Sequence, residues 1–429
     1  MTSDATSRNK TQLTVAIVGG GITGLSLAVG LLYRNVNVTI YERASGIREI
    51  GAGIGFTPNA ERAMKILEPR VLQHFRQIAV QNGDDWFRYV NGLSSGNGEG
   101  SRQHQDVMFK IHLGERGFEG CRRSDFVKGL VDMLPPEMIK FGRDLASLKD
   151  EPVGAGKVRL CFRDGSVADA DVGQYEASYT HKFAFRGLVP MDIARATLGE
   201  DKTTTRIMYL GPDAHTLTFP VADGKILNVV SFVTDPEPWD SGADGERFVK
   251  PAHRDEAIQA FSGFTSDVRN LMSLLPKDLE KWAIFDMYEN PVPTYSTGHV
   301  CLAGDAAHAS SPHHGAGAGC GIEDALLLAE ILAMSASRSV GRDSTSGGIV
   351  GALAVYNDAR YQRSQWIVQT SRQVGEMYEW QHPEIGRDKE KFGKDFEWRC
   401  RTIWNFDIDR MVASALEMLD NKLERLSIS

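Results

Sequence analysis

"LTVAIVGGGITGLSLAVGLL", Leu13 to Leu32, decides how the rest of the chain is read. Its length and lack of charge are those of a membrane span or a signal core. Five glycines interrupt it, however, and its apolar residues fall into two runs. "LTVAIV" is β-branched and strand-like, whereas "LSLAVGLL" is helix-like. A strand, a glycine turn and a helix account for it, so no span is expected and the chain is assigned to the cytoplasm. Gly19, Gly21 and Gly24 fit G-x-G-x-x-G between those elements. The first glycine makes the tight turn, and the second lets backbone amides approach a pyrophosphate. The third lets the helix pack on the strand, and the helix N-terminus favours negative charge. A second strand, "NVTIYER", carries Glu42 near its end, 18 residues beyond Gly24. An acid there can accept both ribose hydroxyls of an adenosine.

This order of strand, helix, strand and acid predicts dinucleotide binding, but FAD and NAD share it. "REIGAGIGFTPNAERAMKIL" (48–67) places Gly51, Gly53 and Gly55 in a loop before an amphipathic helix that starts at "PNA". A second glycine loop just beyond the acid favours FAD, with Gly55 among its contacts.

The whole chain agrees. Its 429 residues exceed one ordinary core and imply two domains. An apolar content of 42% with 24% charge describes a soluble globular protein. A net charge of −8 without a basic run argues against nucleic acid or an anionic membrane as partner. The five cysteines include no C-x-x-C pair and read as reduced thiols.

"GDAAHASSPHHGAGAG" (Gly304–Gly319) allows three readings: a metal site, a linker, or a flat surface for a large ligand. His308, His313 and His314 lack metal-ligand spacing, and no metal is expected. The strand-like "GHVCLA" before it and the helical "CGIEDALLLAEILAMSA" after it leave no room for a linker. Asp305 stands at the strand's C-terminal end, where α/β sheets place ligand groups. A cradle for an aromatic ring system fits best.

On these residues the chain resembles the group A flavoprotein monooxygenases, from about Leu13 to Trp404. The resemblance implies an α/β fold: a Rossmann-like FAD-binding domain, an antiparallel-sheet substrate domain and C-terminal helices. It places Asp305 on the ribityl chain and Pro312 near the reactive face of FAD. It sets Gly317, Ala318 and Gly319 at the isoalloxazine N1–O2 edge. "GCRRSDF" (Gly120–Phe126) resembles a further family segment, which puts Arg123 on FAD and makes Asp125 its structural partner. "YTHKFAFRGLVPM" (179–191), "NVVSFVTD" (228–235) and "RTIWNFDID" (401–409) are similar to the fungal salicylate-hydroxylase-like branch. Within it they most resemble the polyketide hydroxylating dearomatases of azaphilone, tropolone and sorbicillinoid pathways. By that resemblance Arg186 anchors a substrate phenolate and Phe232 positions the ring, at a place where some members carry Tyr. Phe118 is a second such place.

One family feature is missing. The family's Asp-Gly motif, which touches FAD and the nicotinamide, has no counterpart where "SVADADV" (166–172) runs directly into "GQYEASYTHK". "VRLCFRDGSVADADV" (158–172) instead reads as a hairpin turning at Asp164-Gly165.

The expected function is therefore an FAD-dependent monooxygenase that uses NADPH or NADH and O₂ to hydroxylate, with dearomatisation, a phenolic polyketide-type aldehyde or ketone. A salicylate-type hydroxylase and a degenerate flavoprotein lacking the Asp-Gly segment stand as alternatives. So does a flavin reductase or oxidase that inserts no oxygen. The protein would add a dry pocket, orientation and a cation, with Arg186 forking onto an oxyanion and lowering a phenol's pKa. His181, His313 and His314 serve either as proton shuttles or as structural hydrogen-bonders. The FAD domain is assigned to 1–78, 112–172 and 291–372, the substrate domain to 81–111 and 173–290, and a helical region to 373–429. Surface loops are expected at 91–105 and 337–348.

Overall fold

The computed structural model describes residues 13–46, 53–93, 106–114, 119–150, 158–169, 177–240, 248–338 and 345–428. The N-terminal stretch folds as its pattern predicts. β1 (Thr14–Val18), α1 (Ile22–Tyr33) and β2 (Asn37–Glu42) form a parallel unit in which Val15 faces Val38 across the strands. β3 (Gly53–Phe56), α2 (Pro58–Leu67) and α3 (Pro69–Ile78) follow. Here the sequence expectation is corrected: Gly53 and Gly55 lie in a strand, not a loop. The reason is packing, because a Cβ on Gly53 would come within 2.7 Å of the Phe219 ring.

Next come β4 (Trp86–Asn91), β5 (Val107–His112), β6 (Glu119–Arg122) and α4 (Arg123–Asp132). β7 (Ile139–Phe141), β8 (Leu145–Asp150), β9 (Val158–Phe162) and β10 (Val167–Asp169) complete this half. β9 and β10 pair antiparallel around Gly165, at φ +82°, which is the hairpin expected at Asp164-Gly165.

The second half begins with β11 (Ser178–Pro190), α5 (Met191–Leu198) and α6 (Glu200–Thr203). β12 (Ile207–Gly211), β13 (Ala214–Val221) and β14 (Ile226–Thr234) form the expected antiparallel meander. β15 (Val249–His253), α7 (Arg254–Ala260), α8 (Ser266–Ser273) and β16 (Asp278–Asp286) follow. These strands build one eight-stranded sheet, ordered β15-β16-β11-β14-β13-β12-β4-β5. It is mixed rather than wholly antiparallel, because β12 runs parallel to β4.

The sheet's two faces differ. Phe183, Phe185, Leu227 and Val229 pack with α5, α7 and α8 in one core. Alternation sends Arg186, His215, Phe219, Asn228 and Phe232 to the other face. That face meets the N-terminal half, where Asn228 Oδ1 accepts from the Gly53 amide at 3.1 Å.

The chain ends with β17 (Ser296–Thr297), β18 (Val300–Cys301), α9 (Asp305–His308) and a 3₁₀ turn at Pro312–His314. α10 (Gly317–Arg338), α11 (Thr345–Tyr378), α12 (Lys389–Trp404) and α13 (Ile408–Ile428) complete it. Residues 345–348, expected in a loop, belong to α11. Leu25, Met64, Leu326, Ile331, Leu353 and Leu419 join α1, α2, α10, α11 and α13 in the largest core. Gly30 permits the close crossing of α1, since a Cβ there would meet Leu67 at 2.3 Å and Ala329 at 3.0 Å. No helix among the described residues is long and apolar enough to cross a membrane.

Among the described residues, β1 and β2 continue only to β7, and β17 pairs only with β18. Among the described residues, no strand pairs with the other edge of β1 or of β18. The junction where the Asp-Gly motif is expected, at 170–176, lies outside the described residues, as do Gly51 and Phe118.

Candidate active site

The glycine turn has the shape its spacing requires. Gly19 sits at φ +108°, and a Cβ on Gly24 would overlap the Gly19 carbonyl oxygen at 2.2 Å. Gly21 caps α1 without a side-chain hydrogen bond, which leaves the first-turn amides open toward an anion. Glu42 comes from the end of β2, and its carboxylate accepts from the Gly20 amide at 2.6 Å and the Ala44 amide at 2.7 Å. Each oxygen keeps a lone pair for a hydroxyl donor. A close backbone approach, an uncapped helix start and a fixed acid fit a dinucleotide cofactor.

The Gly304–Gly319 segment reaches the same place from the other side. Gly304, at φ +60°, abuts Thr23 at the start of α1: a Cβ on it would lie 2.4 Å from Thr23 Oγ1. Asp305 opens α9 and is exposed, as is Pro312. Gly317, Ala318 and Gly319 form the first turn of α10, and a Cβ on Gly319 would meet Ala60 of α2 at 3.0 Å. Gly55, on β3, pairs with Gly120, three residues before the start of α4 at Arg123.

A buried charge network holds this segment. Asp324 accepts from the Gly304 amide at 2.8 Å, from His308 Nε2 at 2.6 Å and from Arg360 Nε at 2.7 Å. Arg360 also donates to Glu323 at 2.6 Å, which accepts from Arg363 at 2.7 Å and from Asn59 at 2.8 Å. Burial opposes charge on Glu323, but Arg360 and Arg363 outweigh it and pull its pKa down to about 2. Burial likewise opposes charge on His308, yet Cys320 and Asp324 raise its pKa well above the usual value. His308, Cys320 and Asp324 bring ligand atoms within 4.8 Å of one another, a grouping that spacing did not reveal. Arg360 already serves this cluster as the cation, with its guanidinium 3.1 Å from Cys320 Sγ. Farther along, Asp286 binds Ser311 and takes Arg372 at 2.6 and 2.9 Å, which fixes the residue before Pro312.

The sheet supplies the opposite wall. Arg186 lies 4.8 Å from the Trp282 ring centroid and forms no ion pair with a described residue. Its Nε has no hydrogen-bond partner among them. Burial and, after it, the charge of Arg123 both lower its pKa, so Arg123 lies within electrostatic reach of Arg186. Phe232 stacks on His215 at 4.6 Å, and His313 reaches across from the 3₁₀ turn to within 5.0 Å of Phe232.

The candidate histidines separate. His181 is exposed on the irregular stretch of β11, at φ +55°, with Nδ1 3.2 Å from the Asp235 carbonyl. His314 bonds Thr370 at 3.1 Å and stacks on Phe396. Burial and then Arg399 push its pKa down to about 3. His313 faces the sheet. Sequence reasoning missed His215, Glu379, Arg360 and the Glu323–Asp324 pair. His215 and Glu379 are 164 residues apart, and no local pattern joins them.

Known proteins share this design. A family model described as FAD binding domain matches residues 256–369. The chain is 48% identical to the dual trans-enoyl reductase/FAD-dependent monooxygenase tazHJ of Aspergillus terreus, over 96% of this chain and 61% of that protein. It is 48% identical to the FAD-dependent monooxygenase pigN of Monascus ruber, over 97% of this chain and 99% of pigN. That alignment spans 439 residues against a chain of 429, so pigN carries residues that this chain lacks. Among solved structures, a salicylate hydroxylase substrate complex matches with TM-score 0.78 at 31% identity, over 94% of this chain and 98% of that one. The glycine turn, the fixed acid and near-complete alignment with pigN lead to one assignment: this chain belongs to the fungal FAD-dependent monooxygenases.

Proposed function

We propose that this monooxygenase hydroxylates, with dearomatisation, a phenolic polyketide-type aldehyde or ketone in fungal secondary metabolism. It would act in the cytoplasm with NADPH or NADH and O₂. The observation that carries this reading is Arg186, a cation without a described acid, beside a second cation and an aromatic ring. Two like charges, of which Arg186 has no ion pair among the described residues, call for an anion. When bound, FAD would supply the oxygen-activating chemistry, with the nicotinamide as reductant and O₂ as the source of the inserted oxygen.

This chain's residues do the rest. Arg186 holds the phenolate and Phe232 flanks the ring. Gly19, Gly21, Gly24, Glu42, Gly55, Arg123 and Asp305 hold the cofactor. Pro312, Gly317, Ala318 and Gly319 form its cradle. The division into a cofactor domain (1–78, 112–172, 291–372), a substrate domain (81–111, 173–290) and a helical end (373–429) belongs to the same proposal. A salicylate-type substrate is the second reading, favoured by the 31% identity to salicylate hydroxylase. Its carboxylate would use the same arginine.

The test is a yellow purified protein whose NADPH oxidation rises with an alkylated 2,4-dihydroxybenzaldehyde and yields a product one oxygen heavier. Greater stimulation by salicylate would support the second reading. A colourless protein would show that the absent Asp-Gly segment has cost the chain its cofactor.

A further inference from the structure

His215, on β13, is fully buried, and its Nδ1 lies 2.9 Å from Glu379 Oε1. Its Nε2 has no hydrogen-bond partner among the described residues. Glu379 is fixed in turn: Lys182 and Thr234 both donate to Oε2, and Lys182 also reaches Gln381 at 3.0 Å. Burial works against charge on Glu379, but the His215 hydrogen bond and the Lys182 charge bring its pKa down to about 2. An ionised acceptor at Nδ1 draws the imidazole proton there and leaves the lone pair on Nε2. Burial keeps the ring neutral by lowering its pKa.

The other neighbours supply no donor to Nε2. Phe232 covers one face of the ring, and His313 and Tyr378 each approach to 5.1 Å. Strand register sets His215, Phe232 and Ala184 in one row, with Arg186 two residues beyond Ala184 on the same face. A buried imidazole lone pair therefore stands on the same wall as a guanidinium that has no ion pair among the described residues. Such a nitrogen is costly to bury unless a ligand donates to it.

We propose that His215 is a catalytic base for this wall's substrate, with Glu379 as its positioning residue. The inference rests on the phenolic-substrate reading. A ring hydroxyl loses its proton to His215 Nε2. The O–H bond breaks, the electron pair stays on oxygen, and the charge delocalised over the ring is held by Arg186. Glu379 stabilises the imidazolium that forms and keeps its own carboxylate ionised. His313, Tyr378, Lys182 and Glu379 are the titratable groups that face the ring.

The test uses the oxidised FAD-bound protein without NADPH. An alkylated 2,4-dihydroxybenzaldehyde is added across pH, and the phenolate absorbance of the bound ligand is read. The parent should show bound phenolate at a pH where the free ligand is neutral. His215→Gln should bind the phenol but require a pH at least about one unit higher for the same band, with kcat lower by about 10²-fold. Glu379→Gln should shift the band part of the way, since the tautomer is no longer fixed. It also keeps the question decidable if His215→Gln fails to retain flavin. Unchanged ionisation in a folded His215→Gln, or in Glu379→Gln where that is the variant available, would overturn the assignment. A parent that keeps FAD yet binds no phenol would instead overturn the substrate reading, and the base with it.

Discussion

Single residues at the junction of sheet and loop are set apart by whether they are paired. Arg360 is fully buried yet meets two carboxylates, so its charge is spent on structure. Arg186 has no such partner among the described residues, and its charge remains available to a ligand. Truncating one member of a buried charged pair costs about 2–5 kcal/mol. Arg186→Ala should therefore lower kcat/KM for the phenol by about 10²-fold or more while leaving flavin content intact. Arg186→Lys should recover part of that, because an ammonium cannot fork onto an oxyanion. Parental kcat/KM in the alanine variant would show that Arg186 anchors no substrate. Glu42 offers a separate test. Glu42→Leu loses both amide contacts and the ribose acceptor, so the flavin-to-protein ratio of the purified variant should fall. The same ratio as in the parent would remove Glu42 from the cofactor site.

Between elements, the contact of greatest consequence is that of α1 with α10. Thr23 is wedged between Gly304 and Gly321, and a Cβ on Gly321 would lie 2.1 Å from Thr23 Oγ1. Gly321→Ala should cost about 1–3 kcal/mol by overpacking. Thr23→Ala in the same chain should restore most of it, and urea midpoints of the three variants would show whether it does. The buried acids tie elements together through charge. Glu323 on α10 and Glu379 at the end of α11 both have folded pKa values of about 2, below an unfolded value near 4.3. Depressed carboxylates stabilise the fold above the unfolded pKa and lose that contribution as pH falls, here between about pH 5 and 2. Each is worth about 3 kcal/mol at neutral pH. Denaturant midpoints should drop through that window, and Glu323→Gln should flatten the dependence.

What the sequence disclosed divides along the same line. The glycine turn, Glu42 and the α10 cradle were legible because each depends on residues close in the chain and on backbone geometry that few residue types permit. β3 was misread as a loop because Gly53 answers to Phe219, more than a hundred and fifty residues away, and not to a turn. His215, Glu379 and Arg360 were invisible for a similar reason. Their meaning lies in pairings across 164 and 36 residues, and a lone His, Glu or Arg carries no periodic signal.

For the molecule as a whole, the two halves meet where the sheet's open face closes over the loop, and side chains from both are needed for the site. Among the described residues, β1 is unpaired on one side, with Val18 at its end 46% exposed. An edge of this kind is a template for strands from other molecules. Concentration should therefore govern the state of the purified protein: light scattering should show association that grows with concentration and persists in high salt. Val15→Lys should suppress it, as a charge on an edge strand does. A monodisperse parent across that range would show that residues flanking the described core already cover the edge. If association is found, that edge will limit how much native protein can be kept in solution before it limits turnover, and a dilute, flavin-saturated preparation will be the form in which its chemistry can be measured.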